Sequence, residues 1–242
     1  VTGMLLCAHR AGNNLAELRD ALDAGVDLVE ADVRLYRGAL EMRHAKALGP
    51  QLLWEPWRDV VRRRDTPVPL LAEVLATAAG DPRLMLDLKG PFLGVAPLTA
   101  AVLREAAPGA PVAVCSRQWR MLDAFEDQPH VRRIYSAGSR RELAKARLLV
   151  RRQRVAGLSI RLSLLTPQVV EELHRHCDLV MVWSVDTESD LARARELGVS
   201  GIISKNLPML RAIAEQSADQ AGDQPAGQSG DGPATNVRAS TT

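Results

Sequence analysis

From Gly3 onward, short apolar runs alternate with longer segments whose apolar residues recur every three or four positions. The runs GMLLCAH, DLVEADV, RLMLDLK, PVAVCS, VRRIYSA, AGLSIRL, DLVMVWSV and SGIIS read as strands. Their near-continuous apolar character suits a parallel sheet covered on both faces. Between them lie stretches such as NLAELRDALDAG and TPQVVEELHRHC, with charge on one side only, as expected of helices laid against such a sheet. Eight strand–helix units predict an α/β chain closed into a (β/α)8 TIM barrel, with an open doubly wound sheet as the alternative. Gly25 and Gly198 stand between a helical segment and the next strand, where a left-handed residue closes a helix.

Composition sets the limits of that barrel. One domain is expected over residues 1–216, because from Ser217 the chain reads SADQAGDQPAGQSGDGPATNVRASTT, with Val237 as its only large aliphatic residue. Such a segment buries too little to order itself, so residues 217–242 are expected to form a disordered tail. The longest irregular connection runs from Ala45 to Pro69, carries Trp54, Trp57 and the RRRD run at Arg62 to Asp65, and is predicted to cover one mouth of the barrel.

Charge and cysteine usage narrow the function classes. Lys and Arg total 31 against 29 Asp and Glu, a net of +2 that gives no global field for nucleic acid or an anionic membrane. The basic clusters VRRIY, SRREL and VRRQR therefore read as solvated helix and loop faces. Cys7, Cys115 and Cys177 lie in or beside apolar runs at wide spacing, which predicts buried, reduced thiols in a cytoplasmic protein. No apolar run approaches a membrane span, and the opening VTGMLLCAHR is too short a stretch for a signal peptide.

The polar residues at the strand ends carry the chemistry. In LVEADVRL, Glu30 and Asp32 fall on one face of a strand with their charges close together, which calls for a metal or for Lys and Arg partners. His9 and Arg10 close the first strand, and Asp87 and Lys89 close the third. His44 ends the segment LEMRH, which is expected to return to the same mouth as a hairpin. Loops at the carboxyl ends of barrel strands build the site, and that many charges on one rim would be a costly way to stabilise a core. A hard divalent cation held by Glu30, Asp32 and Asp87 could polarise a phosphoryl oxygen while Lys89 and Arg10 offset the charge that builds up. Two histidines would divide the proton work, one as base and one as acid. That is phosphodiester cleavage.

At these residues the sequence resembles the glycerophosphodiester phosphodiesterase family, whose barrel is related to that of phosphatidylinositol-specific phospholipase C. The resemblance runs through AHRAGNN, VEADV, LEMRHAKALGP, LDLK, AVCSRQWRMLDAF with its strand and following helix, and VMVWSVDTESDLARARELGVSGIISKNLPML. It implies that His9 and His44 form the acid–base pair, that Glu30, Asp32 and Asp87 bind Mg2+ or Ca2+, that Arg10 and Lys89 contact phosphate, and that Trp183 lines the pocket. The substrate implied is a small-molecule or lysolipid phosphodiester. The chain departs from the family pattern in several places. AGNNLAEL keeps Asn14 but lacks the usual Glu and Thr, and Ala45 stands where an aspartate often follows the histidine, so a partner for His44 must come from elsewhere. Asp87 replaces the frequent Glu, as in the related sphingomyelinase D and lysophospholipase D branch, and ISKNLP puts Lys205 and Asn206 at the mouth. The segment after His44 is shorter than the family's helical cap, which would open the mouth to a lipid headgroup with Trp54 and Trp57 as interfacial contacts. The alternatives are a lysophospholipase D-like or sphingomyelinase D-like activity and a non-catalytic barrel that binds a phosphate ligand.

Overall fold

The structure is a computed structural model that describes residues 3–55 and 60–222. Eight parallel strands form its centre: β1 (Leu5–Ala8), β2 (Leu28–Tyr36), β3 (Leu84–Lys89), β4 (Ala113–Ser116), β5 (Arg132–Ala137), β6 (Gly157–Arg161), β7 (Val180–Trp183) and β8 (Gly201–Ser204). Each falls within one of the apolar runs except β2, which starts in DLVEADV and continues to Tyr36. β1 pairs with both β8 and β2, so the sheet closes on itself and the open doubly wound alternative is excluded. A further strand, Ala39–Met42, turns back along the end of β2 through Arg37 and Gly38, both at positive φ, and sets Val33 opposite Met42. This is the hairpin expected to bring His44 to the mouth.

Strand alternation divides the core in two. Cys7, Met85, Cys115, Ile134, Met181 and Ile203 pack together inside the barrel. Their neighbours along the strands, such as Leu6, Leu86, Val114, Val182 and Ile202, pack outward. They meet Leu18 of α1 (Leu15–Asp23), Val74 of α2 (Leu71–Ala78), Leu103 of α3 (Val95–Ala106), Val150 of α4 (Arg140–Arg152), Leu173 of α5 (Pro167–His174), Leu191 of α6 (Glu188–Leu197) and Leu210 of α7 (Leu207–Gly222). All three cysteines are buried and free. Asn14, Ser139, Thr166 and Thr187 cap their helices by accepting backbone N–H bonds, and Gly198 closes α6 at φ 67°. Between β4 and β5 the expected helix is a 3-10 segment, Trp119–Phe125, which buries Met121, Leu122 and Phe125 over the strands.

The connection after His44 is more ordered than its composition suggests. Lys46–Leu48, Leu52–Trp54 and Val61–Arg62 make a small antiparallel sheet. The fully buried Leu53 anchors it, and buried Glu41 binds both Arg43 and Arg63, so the RRRD run supplies a fastener. The Arg63 guanidinium also stacks over Tyr36 at 4.7 Å. The basic helix faces are paired: Arg147 and Arg151 of α4 reach Glu172 of α5 at 2.6 and 2.7 Å. The expected tail boundary at Ser217 falls inside α7, and the residues after Gly222, like Trp57, lie outside the described residues.

Candidate active site

Strand register builds the site before any loop contributes. Asp32 and Asp87 are direct partners across the β2–β3 ladder, and Glu30, two residues back from Asp32, is opposite the inward-facing Met85. The three carboxylates therefore share the inner face at adjacent positions, with one oxygen from each within 4.8 Å of the others. All three are buried. Lys89 leans back onto them, bonded to Asp87 and 3.1 Å from Oδ1 of Asp32.

The turn after β1 carries the next layer. Arg10 is held in the left-handed region, at φ 63°, and its backbone N–H donates to Glu30 Oε2 at 2.6 Å. His9 Nε2 lies 3.9 Å from the same oxygen. Gly12 permits this close approach: a Cβ there would lie 2.5 Å from Ala31 Cβ and 3.2 Å from the Glu30 carbonyl. Asn13 then grips Asp32 twice, donating from Nδ2 to Oδ2 at 2.8 Å and accepting the Asp32 backbone N–H at 2.7 Å. Asn14, the asparagine that the family pattern singles out, caps α1 instead.

His44 arrives from the hairpin on the opposite side. Its Nδ1 sits 2.9 Å from Oε1 of Glu55, and Arg10 Nη1 donates to that oxygen at 2.6 Å. Glu55 is thus the carboxylate that stands beside His44 where Ala45 offers none. Sequence reasoning missed Glu55 and Asn13; the first lies in a connection without motif, and the second is the neighbour of the residue it favoured.

His9, Arg10, Glu30, His44, Glu55, Asp87, Lys89 and Trp183 all line one cavity of about 520 Å³ at the carboxyl ends of the strands, with Asp32 buried behind Lys89. The cavity's other arc is lined by Arg117, Ser136, Ser159, Arg161 and Lys205, of which only Lys205 was anticipated at the mouth. Asn206, expected beside it, instead accepts the Met209 N–H at the start of α7.

The electrostatics follow from this crowding. Burial, reinforced by the charge of Asp32, pushes the Glu30 carboxyl up, and burial does the same to Asp87. Burial opposes ionisation of Asp32 too, yet Lys89, His44, the Asn13 amide and Arg10 hold it down to about 2. Burial and the neighbouring Arg10 lower His9 to about 3, and burial, with Arg10 and Lys89, lowers His44 to about 4. Both imidazoles are therefore neutral near pH 7. Three carboxylates against one ammonium and an Arg10 guanidinium shared between Asp32 and Glu55, with Oδ1 of Asp87 buried and accepting no hydrogen bond, suit a hard divalent cation.

Solved structures share this architecture. A phosphodiesterase from Oleispira antarctica, in complex with the product sn-glycerol-3-phosphate, superposes with a TM-score of 0.67 at 21% identity, covering 87% of this chain and 96% of that one. The barrel is that of the glycerophosphodiester phosphodiesterases. A member from Parabacteroides distasonis gives 0.70 at 19% identity, covering 88% and 98%, and one from Thermotoga maritima gives 0.68 at 17%, covering 88% and 99%. No family model matches the chain, and no curated protein matches it by sequence. Among the described residues no helix is long and apolar enough to cross a membrane.

Proposed function

We propose that the chain is a divalent-metal-dependent phosphodiesterase that hydrolyses glycerophosphodiesters to glycerol 3-phosphate and an alcohol, with residues 1–216 as its catalytic domain. The observation that carries this reading is the convergence on one cavity of two imidazoles, a lysine, an arginine and a three-carboxylate cluster. Glu30, Asp32 and Asp87 would hold Mg2+ or Ca2+, and the bound ion would polarise the phosphoryl oxygen and offset the negative charge that builds there. Lys89 and Arg10 add fixed positive charge at the same place.

His9 and His44 divide the proton transfers. A neutral imidazole accepts the proton of the attacking hydroxyl or water. The entering phosphodiester brings negative charge next to Arg10 and Lys89, the cations that depress both histidines, and so raises their basicity in the complex. The other imidazole takes up a proton from solvent when the bound phosphodiester raises its basicity and delivers it to the leaving oxygen, so one proton is taken from the nucleophile and one is given to the leaving group. Glu55, 2.9 Å from Nδ1, would orient the His44 ring on that side and leave Nε2 for the substrate.

A second reading, removal of a lysolipid headgroup, is favoured by Phe92 and Leu93, 72% and 48% exposed in the loop that follows Lys89. The buried free thiols suit a reducing compartment, and we place the enzyme in the cytoplasm. The test is turnover by the purified chain, stripped with chelator and resupplied with Mg2+ or Ca2+, on a glycerophosphodiester and a lysophospholipid side by side, with His9→Ala as control. Metal-restored release of alcohol by the wild type alone supports the enzyme. Metal-dependent ligand binding without turnover on either substrate selects a non-catalytic phosphate-binding barrel.

A further inference from the structure

The cavity holds more positive charge than one phosphodiester needs. Lys89 follows the inward-facing Asp87 by two residues on β3 and Arg161 follows Ser159 by two on β6, while Arg117 and Lys205 stand one residue past the ends of β4 and β8. A spacing of two keeps Lys89 and Arg161 on the inner face, and Arg117 and Lys205 line the same cavity from just past their strands, so these cations make a layer around the mouth. Lys89 is committed to Asp87 and Asp32. Of the other three, Arg161 on β6 stands across the barrel from β2, Arg117 stands past β4, and Lys205 stands past β8 next to His9, whereas every carboxylate lining the cavity, Glu30, Glu55 and Asp87, belongs to the metal side.

The far arc is built. The Trp183 ring carries the Arg161 guanidinium 5.4 Å from its centroid. Gly138, after β5, leaves the gap they need: a Cβ there would lie 3.0 Å from Trp183 Cη2 and 3.2 Å from Arg117 Cζ. Arg117 is braced by both carboxylate oxygens of Glu142 at 2.9 Å, while Arg161 and Lys205 have no ion-pair partner among the described residues. An unneutralised Arg161 beside a braced Arg117, with the unneutralised Lys205 facing the same cavity, is an arrangement that receives an anion.

We propose that Arg117, Arg161 and Lys205 form a second anion subsite, and that the preferred substrate is a phosphodiester whose leaving alcohol carries a negative charge of its own, a phosphate monoester or a carboxylate. This rests on the phosphodiesterase reading. The scissile phosphate sits on the Lys89 and Arg10 side, and the second anion reaches across to the Arg161 side. A choline alcohol would set its cation against three others.

The test uses the metal-loaded full chain and four diesters that differ in the alcohol: glycerophosphoinositol phosphate, glycerophosphoserine, glycerophosphoglycerol and glycerophosphocholine. The expected kcat/KM for a diester with an added anion exceeds that for glycerophosphoglycerol by about tenfold, the worth of one charge-assisted contact, and Arg161→Gln removes most of that ratio. Preference for the inositol phosphate alone assigns the subsite to a phosphate, and preference for serine alone assigns it to a carboxylate. Equal rates, a preference for choline, or an unchanged ratio in Arg161→Gln overturns the proposal. Turnover of none defeats the phosphodiesterase reading, and calorimetry then decides the subsite. Propane-1,3-bisphosphate should bind tighter than glycerol 3-phosphate to the wild type but not to Arg161→Gln; equal affinity in the wild type overturns the subsite as well.

Discussion

Oε1 of Glu55 lies 2.9 Å from Nδ1 of His44 and accepts a hydrogen bond from Arg10, so one carboxylate from the small antiparallel sheet ties a proposed acid–base histidine to a proposed phosphate contact. Its position depends on the sheet being pinned to the barrel by Glu41, Arg43 and Arg63. Glu55→Gln keeps the shape and removes the charge. The expected result is a fall in kcat of roughly ten- to a hundredfold, the usual cost of losing a histidine's supporting partner, with a shifted pH–rate profile. Unaltered kcat and profile would show that His44 needs no orienting partner.

Asn13 holds Asp32 by two hydrogen bonds. Removing them in Asn13→Ala should weaken Mg2+ or Ca2+ binding by roughly ten- to a hundredfold while the carboxylates remain. Titration calorimetry on chelator-stripped protein reads this directly, and an unchanged affinity would reduce Asn13 to a packing residue. The same titration on Asp32→Asn and Asp87→Asn should show no binding.

Gly12→Ala tests the seam between the turn after β1 and β2. The new methyl group would stand 2.5 Å from Ala31 Cβ, so the turn must lift. A loss of about 1–3 kcal/mol is expected from overpacking, read by thermal or urea unfolding. Activity should fall with it, because His9, Arg10 and Asn13 ride on the same turn.

Asp81 and Arg83 make a pH-dependent clasp remote from the site. The hydrogen bonds from Arg83 hold the Asp81 carboxyl below its ordinary value, and Arg83 Nη1 also donates to the carbonyls of Leu22 and Val26 at the end of α1. A carboxyl depressed in the folded state contributes its stability above the unfolded pKa of about 3.9 and loses it as pH falls through the lower folded value. Asp81→Asn should therefore be less stable than the wild type at pH 7, with the gap closing as the medium is acidified below pH 4. A gap independent of pH would mean that the clasp does not act through charge.

The sequence alone determined which runs form the barrel strands and which polar residues stand at their carboxyl ends. Eight apolar runs mark the barrel strands because parallel strands covered on both faces must be continuously apolar, and a carboxylate inside such a run stands out against it. The spacing of two in Glu30-Ala31-Asp32 and Asp87-Leu88-Lys89 likewise fixed which side chains share a face. Tertiary structure decided what no local pattern encodes. Closure of β1 onto β8 and the β2–β3 register set Asp32 beside Asp87, and the fold of residues 46–62 brought Glu55 to His44 across a segment with no motif. The choice between Asn13 and Asn14 was also tertiary, because either could cap α1 and only the close approach allowed at Gly12 turns Asn13 toward Asp32. Arg117 and Arg161 read as ordinary charges after β4 and at the end of β6, and they face the cavity only because the barrel closes around it. Contacts between residues far apart in the chain depend on closure and register, which are properties of the whole sheet.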